Sequence, residues 1–163
     1  MSPGTKPKPP PKPYDEREIR VARRAMKLVG PAHVWIYRRS GGRVWGRFPR
    51  SKAPVLLLTT TGRLSGQPRT VPLIHLADGE RLVIVASQGG MPTHPAWYHN
   101  LVAHPRVTVE TGRRVREMDA RVADESERAA LWPRLVAMYA DYDDYQARTD
   151  RQIPVVILDP PTD

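Results

Sequence analysis

The chain has 163 residues, no cysteine and a formal net charge of +9. The missing cysteines exclude disulfides, thiol nucleophiles, iron–sulfur ligation and cysteine-containing zinc sites. The charge is uneven: residues 1–52 hold 14 Lys+Arg against 3 Asp+Glu, and residues 53–163 hold 12 against 14, which fits a basic arm on a nearly neutral body and not a broad nucleic-acid platform.

Residues 1–13 contain six prolines and three lysines, and no large apolar residue after Met1. They read as a disordered, Pro/Lys-rich tail. Residues 14–52 form a basic helical arm. Over residues 15–29, Ile19, Ala22, Met26 and Val29 share one helical face, with Arg17, Arg20, Arg24 and Lys27 largely opposite. Such a helix suits packing on the domain or lying on an anionic bilayer, and the sequence leaves both open. Gly30-Pro31 predicts a stop or kink, and Ala32 to Arg39 a second helical piece carrying Trp35, Ile36 and Tyr37, ended by Gly41-Gly42.

From residue 53 the texture becomes β. Residues 55–60, 71–76 and 82–87 read as strands, the second and third joined by a tight Ala77-Asp78-Gly79-Glu80 turn. Residues 95–103 read as a short helix before His104-Pro105, and residues 107–111 and 115–122 as a hairpin around Gly112. A helix over residues 125–139 is capped by Asp124 and kinked or broken at Pro133. A short helix over 142–149 and a closing strand over 155–158 follow. This order has no repeat and no regular βαβ alternation, so it predicts a mostly antiparallel sheet or barrel. No apolar run reaches the roughly 18 residues of a membrane span, and the N-terminus lacks a signal-peptide core, so the expected location is cytoplasmic.

Two segments carry chemistry. Thr59-Thr60-Thr61-Gly62-Arg63-Leu64-Ser65-Gly66-Gln67-Pro68-Arg69 is a glycine-punctuated loop between apolar runs. Its glycines permit outward-facing amides, Ser65 adds a hydroxyl, and Arg63 and Arg69 supply charged forks, which are the parts of a phosphate cradle. A solvated hairpin loop is the plainer reading. The second segment, from Ala86-Ser87-Gln88-Gly89-Gly90 through His94-Pro95-Ala96-Trp97-Tyr98-His99-Asn100-Leu101, ends a strand with a glycine pair able to approach a planar ring. Tyr139, Tyr142 and Tyr145 recur every third residue and offer an apolar wall with polar tips. His94, His99 and His104 diverge on a helix, which argues against a metal site. No Gly-x-Ser-x-Gly elbow or Walker loop is present.

Taken together these motifs, with Tyr145-Gln146-Ala147-Arg148-Thr149-Asp150-Arg151 and Ile153-Pro154-Val155, resemble the deazaflavin (coenzyme F420)-dependent nitroreductase family across roughly residues 35–160. The resemblance implies an α+β fold: a split β-barrel of the flavin-binding type, about six mostly antiparallel strands, an N-terminal helix and short helices between strands, spanning residues 53–163. It implies hydride transfer from reduced coenzyme F420 to a quinone or nitroaromatic acceptor, with FMN as the runner-up cofactor. Carried over by position, Arg63, Leu64, Ser65, Gly66 and Arg69 hold the acidic tail, and Ala86, Ser87, Gln88, Gly89, Gly90, Trp97 and Asn100 orient the ring. Ser87, Tyr139, Tyr142 and Tyr145 face the acceptor as the catalytic set. Leu64 and Gln88 stand where the family pattern has lysines, and Ile74 where some relatives have an aromatic; the basic residues Arg47, Arg50 and Lys52 are the compensating charges the sequence offers. A non-catalytic flavin carrier, an FMN-dependent relative and an anionic-membrane binder acting through the basic arm are the alternatives. Neither a metal nor a nucleic-acid partner is expected.

Overall fold

The structure, a computed structural model, describes residue 9 and residues 11–162. The Pro/Lys-rich tail therefore lies largely outside the described residues. Six strands close into an antiparallel barrel: β1 (Val55–Thr61), β2 (Pro68–Asp78), β3 (Arg81–Val85), β4 (Arg106–Thr111), β5 (Arg114–Val122) and β6 (Val155–Asp159), ordered β1-β2-β3-β6-β5-β4 around the barrel. Among the described residues four α-helices accompany them: α1 (Glu16–Ser40), α2 (Ala96–Ala103), α3 (Glu125–Met138) and α4 (Asp141–Ala147).

Alternation along the strands explains the layers. Leu82 and Ile84 point inward to meet Leu56, Leu58, Val107, Val109, Met118 and Leu158 in the barrel interior. Their neighbours Val83 and Val85 point outward and are covered by Leu131 and Leu135 of α3 and by Tyr139 and Tyr142. The tight turn falls at Gly79-Glu80, with Asp78 paired to Arg81 and Gly79 at φ 64°. Asp124 caps α3 through a reciprocal pair with Glu127: the Glu127 amide donates to Asp124 Oδ1 at 2.8 Å and the Asp124 amide to Glu127 Oε2 at 3.1 Å.

Neither proline interrupts its helix. The arm does not stop at Gly30-Pro31; α1 continues through it for 25 residues, from an Asp15–Glu18 capping box to Gly41 in the left-handed region. Pro31 leaves the Lys27 carbonyl without its usual amide, but Lys27 and Pro31 are both exposed, so water replaces that bond. Pro133 is accommodated in the same way on the exposed side of α3. The arm's packing also differs from the expected stripe. Only Val34 and Tyr37 of α1 are buried; Ile19 and Ala22 are half-buried, and Met26 and Val29 are exposed. Tyr37 fixes the helix to the barrel, its hydroxyl donating to Val55 O at 3.0 Å and accepting from the Gly112 amide at 2.8 Å.

The strand directions define two barrel ends. The β1–β2 loop, the segment after β3, the start of β6 and α2 lie at one, here called the upper end. The β2–β3 and β4–β5 turns and the residues after β6 lie at the other.

Candidate active site

At the upper end, residues 62–67 close the β1–β2 hairpin. The Gly62 amide donates to Gln67 O at 2.8 Å, the Gly66 amide to Gly62 O at 2.7 Å, and the Arg63 amide to Asn100 Oδ1 at 3.1 Å. Ser65 Oγ accepts from the Gln67 amide at 3.3 Å. A Cβ on Gly62 would sit 2.6 Å from that hydroxyl and 3.1 Å from Gln67 O, so a side chain there would have to turn Ser65 aside. The glycine amides therefore turn inward, against the outward-facing cradle expected from the sequence. What the loop offers outward is side chains: Arg63 and Arg69 are exposed, and neither guanidinium has a hydrogen-bond or ion-pair partner among the described residues. An excess of unpaired donors at one rim fits an anionic group. Leu64, between them, is 87% exposed and adds no charge.

The segment after β3 is built around backbone strain. Gln88, Gly89 and Gly90 occupy positive φ in succession, at 45°, 65° and 81°, in a single 3₁₀ turn. Gly90 is obligatory, because a Cβ would lie 2.5 Å from the Tyr145 carbonyl oxygen. That approach seats the turn against α4. With its amide nitrogen set toward the carbonyls of Thr93 and His94, Gln88 donates to each at 3.2 Å and folds back on its own loop instead of reaching toward a ligand. Ala86 is fully buried and Ser87 nearly so.

Arg151, which sequence reasoning quoted without a role, holds this segment together. It donates to the carbonyls of Met91 (2.8 Å), Ser87 (2.8 Å) and Ala86 (3.2 Å), and lies 3.0 Å from His94 Nδ1. One planar fork thus satisfies three carbonyls of a strained loop. His94 in turn meets the His99 ring at 5.8 Å, edge to face. The two do not diverge as expected, because α2 begins only at Ala96 and His94 lies outside it. Among the described residues no group of three or more His, Cys, Asp or Glu is placed to hold a metal.

The tyrosines form one cluster although Tyr139 lies outside α4. Tyr139 ends α3, Tyr142 and Tyr145 lie on α4, and the Tyr139–Tyr142 ring centroids are 5.0 Å apart. Tyr139 and Tyr145 share a hydroxyl–hydroxyl bond of 3.0 Å. Burial pushes the Tyr139 and Tyr142 phenols well above their ordinary range and raises that of Tyr145, so none of the three ionises near neutral pH. Tyr142 is the most buried and packs against Trp132 in the outer core. Phe48, in the connection from α1 to β1, stands edge-on to Tyr139 at 5.4 Å. Tyr14 has its hydroxyl 3.6 Å from where a Gly89 Cβ would be and lies under the Arg148 guanidinium at 4.9 Å. No sequence signal pointed to Phe48 or Tyr14, since single aromatics in irregular segments have no periodicity.

The structure thus brings Ser87–Gly90 together with Tyr139, Tyr142 and Tyr145, and puts Arg63 and Arg69 at the same barrel end. Trp97 and Asn100 are turned inward. Trp97 packs in the barrel interior, and Asn100 donates to Thr60 Oγ1 at 3.1 Å while accepting from Arg63. They brace the loops from within. Arg47 is engaged by Lys52 O at 3.0 Å.

Comparison with known proteins matches this architecture to one family. Residues 31–160 match the model of the F420H(2)-dependent quinone reductase family, and the chain belongs to it. An F420H(2)-dependent quinone reductase of Mycobacterium tuberculosis H37Rv is 43% identical over 129 residues, 77% of this chain and 86% of the relative. A solved F420-H2-dependent reductase, FDR-A, superposes with a TM-score of 0.61 at 43% identity, over 65% of this chain and 94% of its own. A structure described as a domain-swapped dimer has the same TM-score and identity, covering 65% of this chain and 80% of its own. HutZ, a heme storage protein of Vibrio cholerae, shares the fold alone, with a TM-score of 0.52 at 12% identity over 81% of this chain and 90% of its own. Coenzyme F420 is the cofactor this membership implies, and reduction of a quinone by its reduced form is the activity in the family's name.

Proposed function

We propose that this chain binds reduced F420 at the upper barrel end and uses it to reduce a quinone, with nitroaromatics as secondary acceptors. The observation that carries the reading is the seating of the Ser87–Gly90 turn against Tyr145, beside a hairpin whose two arginines have no partner. Bound F420 would supply the hydride. The chain's own contributions are anchoring and proton supply. Arg63 and Arg69 take the charged tail, and the strained turn gives a flat, close surface for the ring. Ser87 and the Tyr139–Tyr145 hydroxyl pair donate hydrogen bonds to the acceptor oxygen as charge builds on it. Arg151 keeps that surface in place. Residues 53–163 are the catalytic barrel in this reading, residues 14–52 its accessory arm.

Fluorescence titration with F420 and with riboflavin phosphate, followed by quinone reduction with F420H2, tests it. Saturable F420 binding with turnover supports the reductase. Binding without turnover identifies a carrier, and preference for riboflavin phosphate an FMN-dependent relative; either result overturns the proposal.

A specific observation favours a peripheral membrane location. Val21, Leu28 and Trp35 recur every seventh residue on α1, at 60%, 78% and 66% exposure, so they share one outward face flanked by Arg17 and Arg24. No described helix is long and apolar enough to cross a membrane, whereas a cationic helix with an unpartnered apolar stripe suits the surface of an anionic bilayer, where a lipid-soluble quinone resides. Sedimentation with anionic but not neutral vesicles, reversed by high salt and abolished by Leu28→Glu, is the expected result. Failure to sediment, or sedimentation unaffected by Leu28→Glu, overturns this location.

A further inference from the structure

The lower end of the barrel carries a second feature, remote from the loops above. His75 on β2 pairs with Ile84, and Arg116 on β5 pairs with Val109. Both partners line the interior, so His75 and Arg116 point inward too. His75 is only 8% exposed. Its Nδ1 and the Nε of Arg116 are both buried with no hydrogen-bond partner. No carboxylate pairs with Arg116 among the described residues. A buried arginine nitrogen without a counter-group costs on the order of 1–3 kcal/mol, more than most native proteins leave uncompensated at one position.

Arg116 also opens onto a cavity of about 500 Å³ lined by Gly79, Glu80, Met118, Pro160 and Pro161. The rim carries both signs. Arg114 and Glu80 face solvent, and Glu117 lies 3.8 Å from Arg106. The inner wall combines the unpaired guanidinium with the apolar surfaces of the two prolines, and buried Met118 lies behind it. Guanidinium nitrogens in a fixed fork match a carboxylate, and the apolar wall accepts the body that carries it.

We propose that this lower cavity is a binding site for a small organic carboxylate, seated on Arg116 with its apolar body against the Pro160-Pro161 step. The site lies at the opposite barrel end from the 3₁₀ turn and the arginine hairpin, so its occupant is distinct from the F420 and acceptor of the upper site. Binding would give Arg116 the anion it lacks and alter the field on His75, whose ring the Arg116 charge already influences.

Titration of full-length ¹⁵N-labelled protein with benzoate, and separately with inorganic phosphate and chloride at matched ionic strength, tests this through the imidazole resonances, with His75→Gln giving the assignment. The expected result is a saturable shift of the His75 signals with benzoate, a weaker response to phosphate, and none at His94 or His99. Arg116→Gln should weaken benzoate at least tenfold, the loss of one charge-assisted bond, while F420 affinity by fluorescence stays unchanged. Should Arg116→Gln not fold, the wild-type comparison of the three anions decides alone. Absence of saturation, an equal response to all three salts, or shifts confined to the other histidines would mean that water alone fills the cavity and would overturn the site.

Discussion

The Arg63–Arg69 pair and the Arg116–His75 pair, at opposite ends of the barrel, hold their unpaired groups in opposite ways. At the upper end Arg63 and Arg69 stand in water on a hairpin whose backbone is already satisfied internally. Leaving them unpaired costs the fold nothing, so they are free for a ligand. At the lower end Arg116 and His75 carry unpaired nitrogens inside the protein, and there the lack of a partner is charged to stability. Function at the first end and fold stability at the second should therefore respond separately to substitution and to pH.

The sharpest separation is by pH. Burial, and then the Arg116 charge, hold the folded His75 ring at a pKa of about 4 against an ordinary 6.5. As pH falls the unfolded chain takes up this proton first, so stability present above pH 6.5 is lost progressively down to about 4 and then levels. A shift of that size corresponds to about 3 kcal/mol. Urea unfolding between pH 7 and 4 should show this limb in the wild type and a flatter one in His75→Gln; parallel curves would place the ring in water.

Next in size is Gly90→Ala. It forces a side chain into φ 81° and against the Tyr145 carbonyl, which should cost at least about 2 kcal/mol and lower the Tm. Cofactor binding should fall with it, since the turn can no longer seat on α4. An unchanged Tm would remove the close approach on which the upper site is built.

Arg69→Ala and Arg63→Ala come third: each should weaken F420 by roughly 10–100-fold, about 1.4–3 kcal/mol, without moving the Tm by more than a few degrees. Unaltered dissociation constants in both would leave the hairpin as an ordinary solvated loop. Gln88→Lys is the smallest. It restores the family's charge next to the turn but gives up a donor to Thr93 and His94. The net gain in affinity should be a few-fold at low salt and vanish at high salt. Salt-independent tightening would show that charge is not its cause.

Periodicity made the fold legible. Strands whose inner and outer residues alternate, such as Leu82–Val85, announced themselves, and so did the Asp124 cap. Local sequence misled where tertiary contacts or solvent overrode propensity. Gly30-Pro31 was expected to stop or kink α1, yet the helix continues through it: an exposed proline in a helix anchored further along by Tyr37 needs only water at one carbonyl. The site was half legible. Glycines and arginines at set spacings marked both loops, yet the sequence could not say that the hairpin amides are consumed internally or that Gln88 folds back. It did not show that Arg151 supplies the struts of the upper turn from 57–65 residues further along the chain. Those facts depend on pairings with no local signature.

One further consequence follows from where β6 sits. It is the last strand in sequence, yet it lies between β3 and β5, so residues 155–159 supply the ladder for both. Until they arrive, the edges of β3 and β5 are open templates for pairing with another chain. The barrel cannot close during synthesis before this segment leaves the ribosome, although β1, β2, β3, β4 and β5 can already pair among themselves. A nascent or truncated form lacking residues 155–159 would be the aggregation-prone species of this protein, whatever the integrity of its two binding ends.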